Sequence, residues 1–189
     1  MPVKRPKHLL IVGGGVFQVP AIKIAQSMGL KVVVTDYNPE AEGMLLADYP
    51  IEVSTRNINL TVNTAKQFHR TCPLDGVLTV GTDASQTVAA VADALNLPGI
   101  PFEVAERATD KIKMRQVLQE KGVPVPAFRP IWTLEDCRQA INDMPLPLVI
   151  KPCDNMGARG VRKIESIDDL VPAFREAKEA SISGKLILE

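Results

Sequence analysis

Between Leu9 and Thr35 the chain passes from one apolar run to another through three consecutive glycines and a stretch of helical length. No other feature restricts the fold as much. His8-Leu9-Leu10-Ile11-Val12 and Lys31-Val32-Val33-Val34-Thr35 are short, continuous and rich in β-branched residues, the signature of strands covered on both faces. Gly13-Gly14-Gly15 breaks the first run. The pattern then predicts a helix from about Val16 to Met28, with Pro20 in its first turns, Ile22, Ala25 and Met28 as its inner stripe, and Gly29 as a left-handed stop. Strand, helix and strand joined by short connections form a βαβ unit, which requires a parallel sheet. Ile51-Glu52-Val53 and Gly76-Val77-Leu78-Thr79 predict two further strands. Leu60 to Arg70 and Ser85 to Leu95 predict two helices, completing a small doubly wound α/β domain.

Composition excludes several classes of partner. Lysine plus arginine and aspartate plus glutamate number 22 each in 189 residues, so no global field recruits nucleic acid or an anionic membrane. Aromatic residues are 4% of the chain and give single strands few stacking platforms. No apolar run has membrane-span length, and no signal-peptide core precedes the first strand. Cys72, Cys137 and Cys153 are odd in number and widely spaced; they suit a reducing cytoplasm and read as small buried hydrophobes.

The glycine run invites comparison with dinucleotide-binding fingerprints. Gly13-Gly14-Gly15-Val16-Phe17-Gln18 places Gln where a third glycine belongs, although Asp36 ends the second strand, where a ribose-binding acid would sit. A dinucleotide-binding oxidoreductase or sensor is one reading, and close packing of a helix on a strand end is the plainer one. Gly81-Thr82-Asp83-Ala84-Ser85 follows the fourth strand at the carboxyl edge of the sheet. Thr82 and Asp83 are substrate candidates there, with helix capping by Asp83 or Ser85 as the structural alternative.

Pro98-Gly99-Ile100-Pro101-Phe102 marks a composition break, so the expected domains are 1–105 and 106–189. Asp110 opens a helix from Lys111 to Lys121, closed by Gly122. Lys111 lies in its first turn, where the helix dipole disfavours a cation but a facing polyphosphate would favour one. Ala127 to Ile131 predicts a strand. Thr133-Leu134-Glu135-Asp136 resembles a capping box for a helix to about Met144, with Leu134, Cys137, Ile141 and Met144 on its apolar face. Leu148-Val149-Ile150, then Lys151-Pro152-Cys153-Asp154-Asn155-Met156-Gly157-Ala158-Arg159-Gly160, then Val161-Arg162-Lys163-Ile164 reads as strand, glycine loop, strand. Backbone amides at such glycines can close on a phosphate, and Lys151 can reach phosphate oxygens as a point charge. The loop is not a Walker A loop, lacking the Gly-Lys-Ser/Thr ending and the following helix. The plain alternative is a hairpin with a mobile tip. Glu165, Asp168 and Asp169 read as the start of a last helix, with Leu170, Phe174 and Ala177 as its stripe. Lys185 to Glu189 predicts a final strand.

Taken together these pieces resemble the ATP-grasp superfamily along essentially the whole chain. Ile11 to Gly15, Gln18 to Ile22, Val34 to Pro39 and Asp75 to Asp83 are similar to a pre-ATP-grasp domain. Ala108 to Lys111, Gly122 to Pro126 and Lys151 to Val161 are similar to the first lobe of the nucleotide-binding fold. The nearest likeness is to the carbamoyl-phosphate synthase and amino-acid ligase branch. The implied fold is α/β, a Rossmann-like parallel sheet followed by a partial α+β ATP-grasp lobe. The resemblance implies an ATP-dependent carboxylate–amine ligase that works through an acyl phosphate on small-molecule substrates, with ATP and Mg²⁺. Lys111 and Lys151 would contact ATP phosphates, and Gly157, Ala158, Arg159 and Gly160 would form a lid. Leu188 and Glu189 would enter the adenine hinge, and Gly14, Gly15, Thr82 and Asp83 are substrate candidates. Metal ligands of that family lie beyond residue 189, which marks the chain as the N-terminal part of a longer ligase, inactive alone; a non-catalytic regulatory module is the alternative. The apolar edge at Leu186–Leu188 predicts self-association as a homodimer.

Overall fold

The computed structural model describes residues 5–189, and the chain forms two compact units, Met1–Ala105 and Glu106–Glu189.

In the first unit, strands β1 (His8–Val12), β2 (Lys31–Asp36), β3 (Tyr49–Glu52) and β4 (Leu74–Leu78) form one parallel sheet in the order β3-β2-β1-β4. The alternation of side chains along β1 and β2 sends Leu10, Val12 and Val33 to one face and Ile11, Val32 and Val34 to the other. The first set packs with Ala65 and Val91 of helices α3 (Ile58–Thr71) and α4 (Ser85–Leu95). The second packs with Ile22 and Ala25 of α1 (Val19–Ser27) and Met44 of α2 (Glu42–Leu46). Each such fully buried aliphatic side chain contributes about 1.5–3 kcal/mol.

Local chemistry explains where elements depart from the sequence-based bounds. A helix starting at Val16 would need Pro20 to donate to Val16, and proline has no N–H. The helix therefore starts at Val19 with Pro20 in its first turn, after a turn closed by Gln18 N–H on Gly15 (3.0 Å). Its exit is a Schellman motif, Leu30 N–H to Ala25 (3.1 Å) and Gly29 N–H to Gln26 (2.9 Å), with Gly29 at φ +79°. That exit swings Met28 off the inner stripe, leaving it 70% exposed. β3 begins before Pro50 because it is an edge strand, where a missing N–H costs no ladder bond. Helix α2, and α5 (Phe102–Thr109) after the proline-rich segment, are additions that no periodic pattern announced.

In the second unit, β5 (Arg129–Ile131), β6 (Leu148–Pro152), β7 (Arg162–Ile164) and β8 (Leu186–Leu188) form an antiparallel sheet in the order β5-β8-β6-β7. Helices α7 (Leu134–Asp143) and α8 (Leu170–Ala180) cover one face, burying Cys137, Ala140, Leu170, Ala173 and Ala177 against Ile150, Ile164, Leu186 and Leu188. On the other face Ile112 of α6 (Lys111–Glu120) packs with Cys153, Ile187 and Phe128. Thr133 and Asp136 make the reciprocal bonds of a capping box, and Asp169 accepts from the N–H groups of Glu165 (3.0 Å) and Ser166 (2.8 Å) at a short 3-10 turn before α8.

The position of β8 corrects one expectation. Leu186–Leu188 do not form an exposed edge: β8 lies between β5 and β6, with all three side chains fully buried. The basis for self-association through that edge is gone. Leu188→Ala is expected to destabilise the second unit by about 2–5 kcal/mol, as large-to-small changes in a packed core do, read as a lower urea midpoint. A loss below about 0.5 kcal/mol would contradict an inner-strand position for Leu188.

Candidate functional site

Two cavities collect the residues that sequence reasoning singled out, one in each unit. The first lies at the carboxyl ends of the parallel strands, where open α/β sheets bind ligands. It encloses about 560 Å³ and is lined by the turns after all four strands, including Gly13, Gly15 and Gln18 after β1, Tyr37 after β2, Ser54, Thr55 and Arg56 after β3, and Gly81 and Thr82 after β4. Of the four substrate candidates, Gly15 and Thr82 line it and Gly14 and Asp83 do not. Gly14 has a structural job. Its N–H donates to Asp36 Oδ2 (2.8 Å), its carbonyl accepts from Gly43 (2.6 Å), and a Cβ there would stand 2.9 Å from Met44.

The same bonds bear on the dinucleotide reading. Asp36 is committed to backbone, taking the Gly14 N–H on one oxygen and the Asn38 N–H (3.0 Å) on the other. Gln18, only 4% exposed, donates its side-chain amide to the Val80 carbonyl and ties the first turn to the turn after β4. The third position of the fingerprint is thus filled by a bridging side chain. Ser54, Thr55 and Arg56 escaped sequence reasoning because a turn after an edge strand has no pattern of its own.

The second cavity, about 310 Å³, lies in the second unit beside the β6–β7 hairpin. Its lining includes Thr109, Lys111, Met114, Asn155, Met156, Gly157, Ala158 and Arg159. The hairpin is antiparallel, Leu148 opposite Ile164 and Ile150 opposite Arg162. Three of its residues have left-handed backbones, Gly157 at φ +70°, Ala158 at +57° and Gly160 at +71°. The two glycines differ in surroundings. Gly157 has open space where a Cβ would stand, whereas at Gly160 a Cβ would come within 2.5 Å of Ala180 and 3.1 Å of Pro152. The loop is closely packed at Gly160 and has open space at Gly157. A second anchor is Asp154, whose carboxylate takes the N–H groups of Ile182 (3.2 Å) and Ser183 (2.5 Å) and the Ser181 hydroxyl (3.1 Å). Asn155 adds a bond to the Ala180 carbonyl (2.9 Å).

Lys111 stands at the start of α6, behind Asp110, whose carboxylate caps the helix through Ile112 (2.9 Å) and Lys113 (3.1 Å). Its ammonium, half-buried, donates to the Asn155 carbonyl (2.6 Å) and lies 3.4 Å from that of Cys153. Burial pushes the Lys111 pKa down and the nearby Lys151 charge adds to that, against the Asp154 and Glu189 carboxylates. Burial also pushes the Cys153 thiol up to about 12, so it stays protonated. Lys151 is not in the cavity lining. Its Nζ is 2.5 Å from Glu189 Oε2, and Arg115 Nε holds the other oxygen at 2.8 Å. Burial alone would raise the Glu189 carboxyl, but the hydrogen bonds from Lys151 and Arg115 outweigh it and hold the group below the usual glutamate range. Gly160 and Leu188 are not in the lining either: one is packed at the loop root, the other buried in the sheet. Among the described residues no three His, Cys, Asp or Glu side chains converge on a metal site. No described helix is long and apolar enough to cross a membrane.

Two predictions follow from these surroundings. Gly160→Ala is expected to cost about 1–3 kcal/mol more than Gly157→Ala in denaturant melts, since both carry a left-handed backbone but only the first also overpacks. Glu189 and Asp154 are both held below their ordinary values of 4.5 and 3.8. The unfolded chain therefore binds more protons in that range, so stability is present above pH 4.5 and is lost as pH falls below it. Glu189→Gln is expected to flatten that acid limb of the urea midpoint, and an unchanged slope would contradict the pairing.

Comparison with known proteins finds relatives for the chain. Residues 22–99 match the ATP-grasp N-terminal domain. The chain is 32% identical over 96 residues to a D-alanine–D-alanine ligase of Pseudomonas putida, covering 48% of this chain and 30% of that protein. It is 25% identical over 178 residues to the carbamoyl phosphate synthase large chain of Thermomicrobium roseum, covering 89% of this chain and 16% of that protein. Its fold superposes on the crystal structure of an L-amino acid ligase from Bacillus licheniformis with a TM-score of 0.74 and 26% identity, over 98% of this chain and 44% of that one. The chain thus spans less than half the length of each of these relatives, and the dinucleotide reading is not favoured. By its N-terminal domain, its sequence relatives and its α/β fold, the chain is related to the ATP-grasp ligases.

Proposed function

We propose that the chain supplies the pre-ATP-grasp domain (1–105) and the first nucleotide-binding lobe (106–189) of an ATP-dependent carboxylate–amine ligase. The observation that carries this reading is the cavity of the second unit, where Lys111 and the loop Gly157-Ala158-Arg159 face one space of about 310 Å³. ATP fits the chemistry of that lining. Met114, Met156 and Val161 give it an apolar part, and left-handed backbone at Gly157 and Ala158 turns successive amides toward an anion. The first unit's cavity, with Gly15, Thr82 and Arg56, is then the place for a small carboxylate or amine substrate.

In the reaction a carboxylate oxygen attacks the γ-phosphorus of ATP and ADP leaves; an amine nitrogen then attacks the acyl carbon and phosphate leaves. Such transfers depend on positioning and charge neutralisation more than on covalent help from the protein. Lys111 contributes a half-buried cation at a helix start, and the loop contributes amides. The described residues offer no cluster of three His, Cys, Asp or Glu side chains for Mg²⁺.

The test is calorimetric titration of this chain with ATP, beside Lys111→Ala and the loop-tip variant Gly157→Pro. Lys111→Ala is expected to weaken binding by about tenfold or more, the worth of a charge-assisted hydrogen bond to phosphate. Equal affinities for wild type and both variants, or NADH binding in place of ATP, would reject the site.

A further inference from the structure

The ion cluster of the second unit contains a residue, Arg115, that the ATP reading does not use. Glu189 is 10% exposed and shared: one carboxylate oxygen lies on Lys151 at 2.5 Å and the other on Arg115 at 2.8 Å. The partners are themselves 18% and 20% exposed, and they come from different elements, Lys151 from β6 and Arg115 from the middle of α6. Lys111, four residues before Arg115, is on the same helix one turn away, with its ammonium in the cavity.

Two cations on one carboxylate leave the cluster with a net positive charge, and the consequence is specific. If Glu189 met Lys151 alone, moving that ammonium onto a ligand would strand a buried carboxylate, an arrangement that costs several kcal/mol on the order found when buried pairs lose one partner. With Arg115 in place, Glu189 keeps a charged partner whichever way Lys151 turns. The guanidinium is the suitable second cation, being always charged and forked, while lysine is the mobile point charge.

We propose that Arg115 is a positioning residue: by holding Glu189 it sets how firmly Lys151 is retained and so releases the Lys151 ammonium to a nucleotide phosphate. The nucleotide part rests on the ATP reading above; the release of Lys151 by Arg115 does not. Arg115 itself need touch no ligand, and its effect passes through one carboxylate.

The test uses two readouts on the same set of variants, Arg115→Met, Arg115→Lys, Glu189→Gln and the double variant Arg115→Met/Glu189→Gln. The first readout is the rate at which Lys151 Nζ is acetylated by acetic anhydride, followed by peptide mass spectrometry without nucleotide. Arg115→Met is expected to slow this labelling several-fold because Glu189 then turns wholly to Lys151. Glu189→Gln is expected to speed it, Arg115→Lys to stay within twofold of wild type, and the double variant to match Glu189→Gln. The second readout is ATP affinity by calorimetry, expected to fall several-fold in Arg115→Met and to recover in the double variant. Labelling unchanged in Arg115→Met, or a double variant that behaves as the sum of its parts, would overturn the proposal and leave Arg115 a structural ion-pair residue. Labelling that shifts as expected with no ATP binding by any variant would reject the ATP reading while leaving the control of Lys151 by Arg115 intact.

Discussion

The architecture of the second unit depends on a strand that arrives last in sequence and lies inside the sheet. β8 is bonded to β5 on one side and to β6 on the other, so without it β5 has no ladder partner and β6 keeps only β7. Its three side chains divide between the two cores, Leu186 and Leu188 under α7 and α8, Ile187 under α6. The same strand sets Glu189 opposite Val149 through paired backbone bonds of 2.9 and 2.7 Å, and that pairing delivers the carboxylate to Lys151. Packing and electrostatics of the site therefore come from one short segment.

The first unit was largely legible in its sequence because its two inner strands, β1 and β2, are buried on both faces and cannot hide their composition. Val32-Val33-Val34 and Leu10-Ile11-Val12 announce a parallel sheet, and Gly29 after α1 announces the turn between them. What stayed hidden follows from the physics of short elements. α2 has five residues, too few for a periodic stripe, and Pro50 argues against a strand unless the strand is at an edge. In the second unit Leu186-Ile187-Leu188 was readable as a strand but not as an inner one. Sheet order is a property of pairings distant in sequence, and three apolar residues carry no record of their neighbours.

The site was legible as residue types more than as contacts. Lys111 and the glycine loop meet around one cavity, as their chemistry suggested. Lys151 was recognisable as a lysine ending a strand, yet its carboxylate partner lies 38 residues away and the second cation 74 residues from that partner. Gly14 is the converse case: it stands in a glycine run that invites a ligand, and its bonds to Asp36 and Gly43 show that the run is first a packing device.

The asymmetry between the closely packed Gly160 and the open Gly157 has a thermodynamic consequence for any anion that seats under the loop. The open space at Gly157 leaves the tip room to close on a ligand, and fixing a backbone residue costs about 1–2 kcal/mol. Ordering the tip would then offset part of the attraction of the amides, giving modest affinity with fast release. A loop whose roots were also loose would forfeit more affinity, and one rigid at both ends would hold its product.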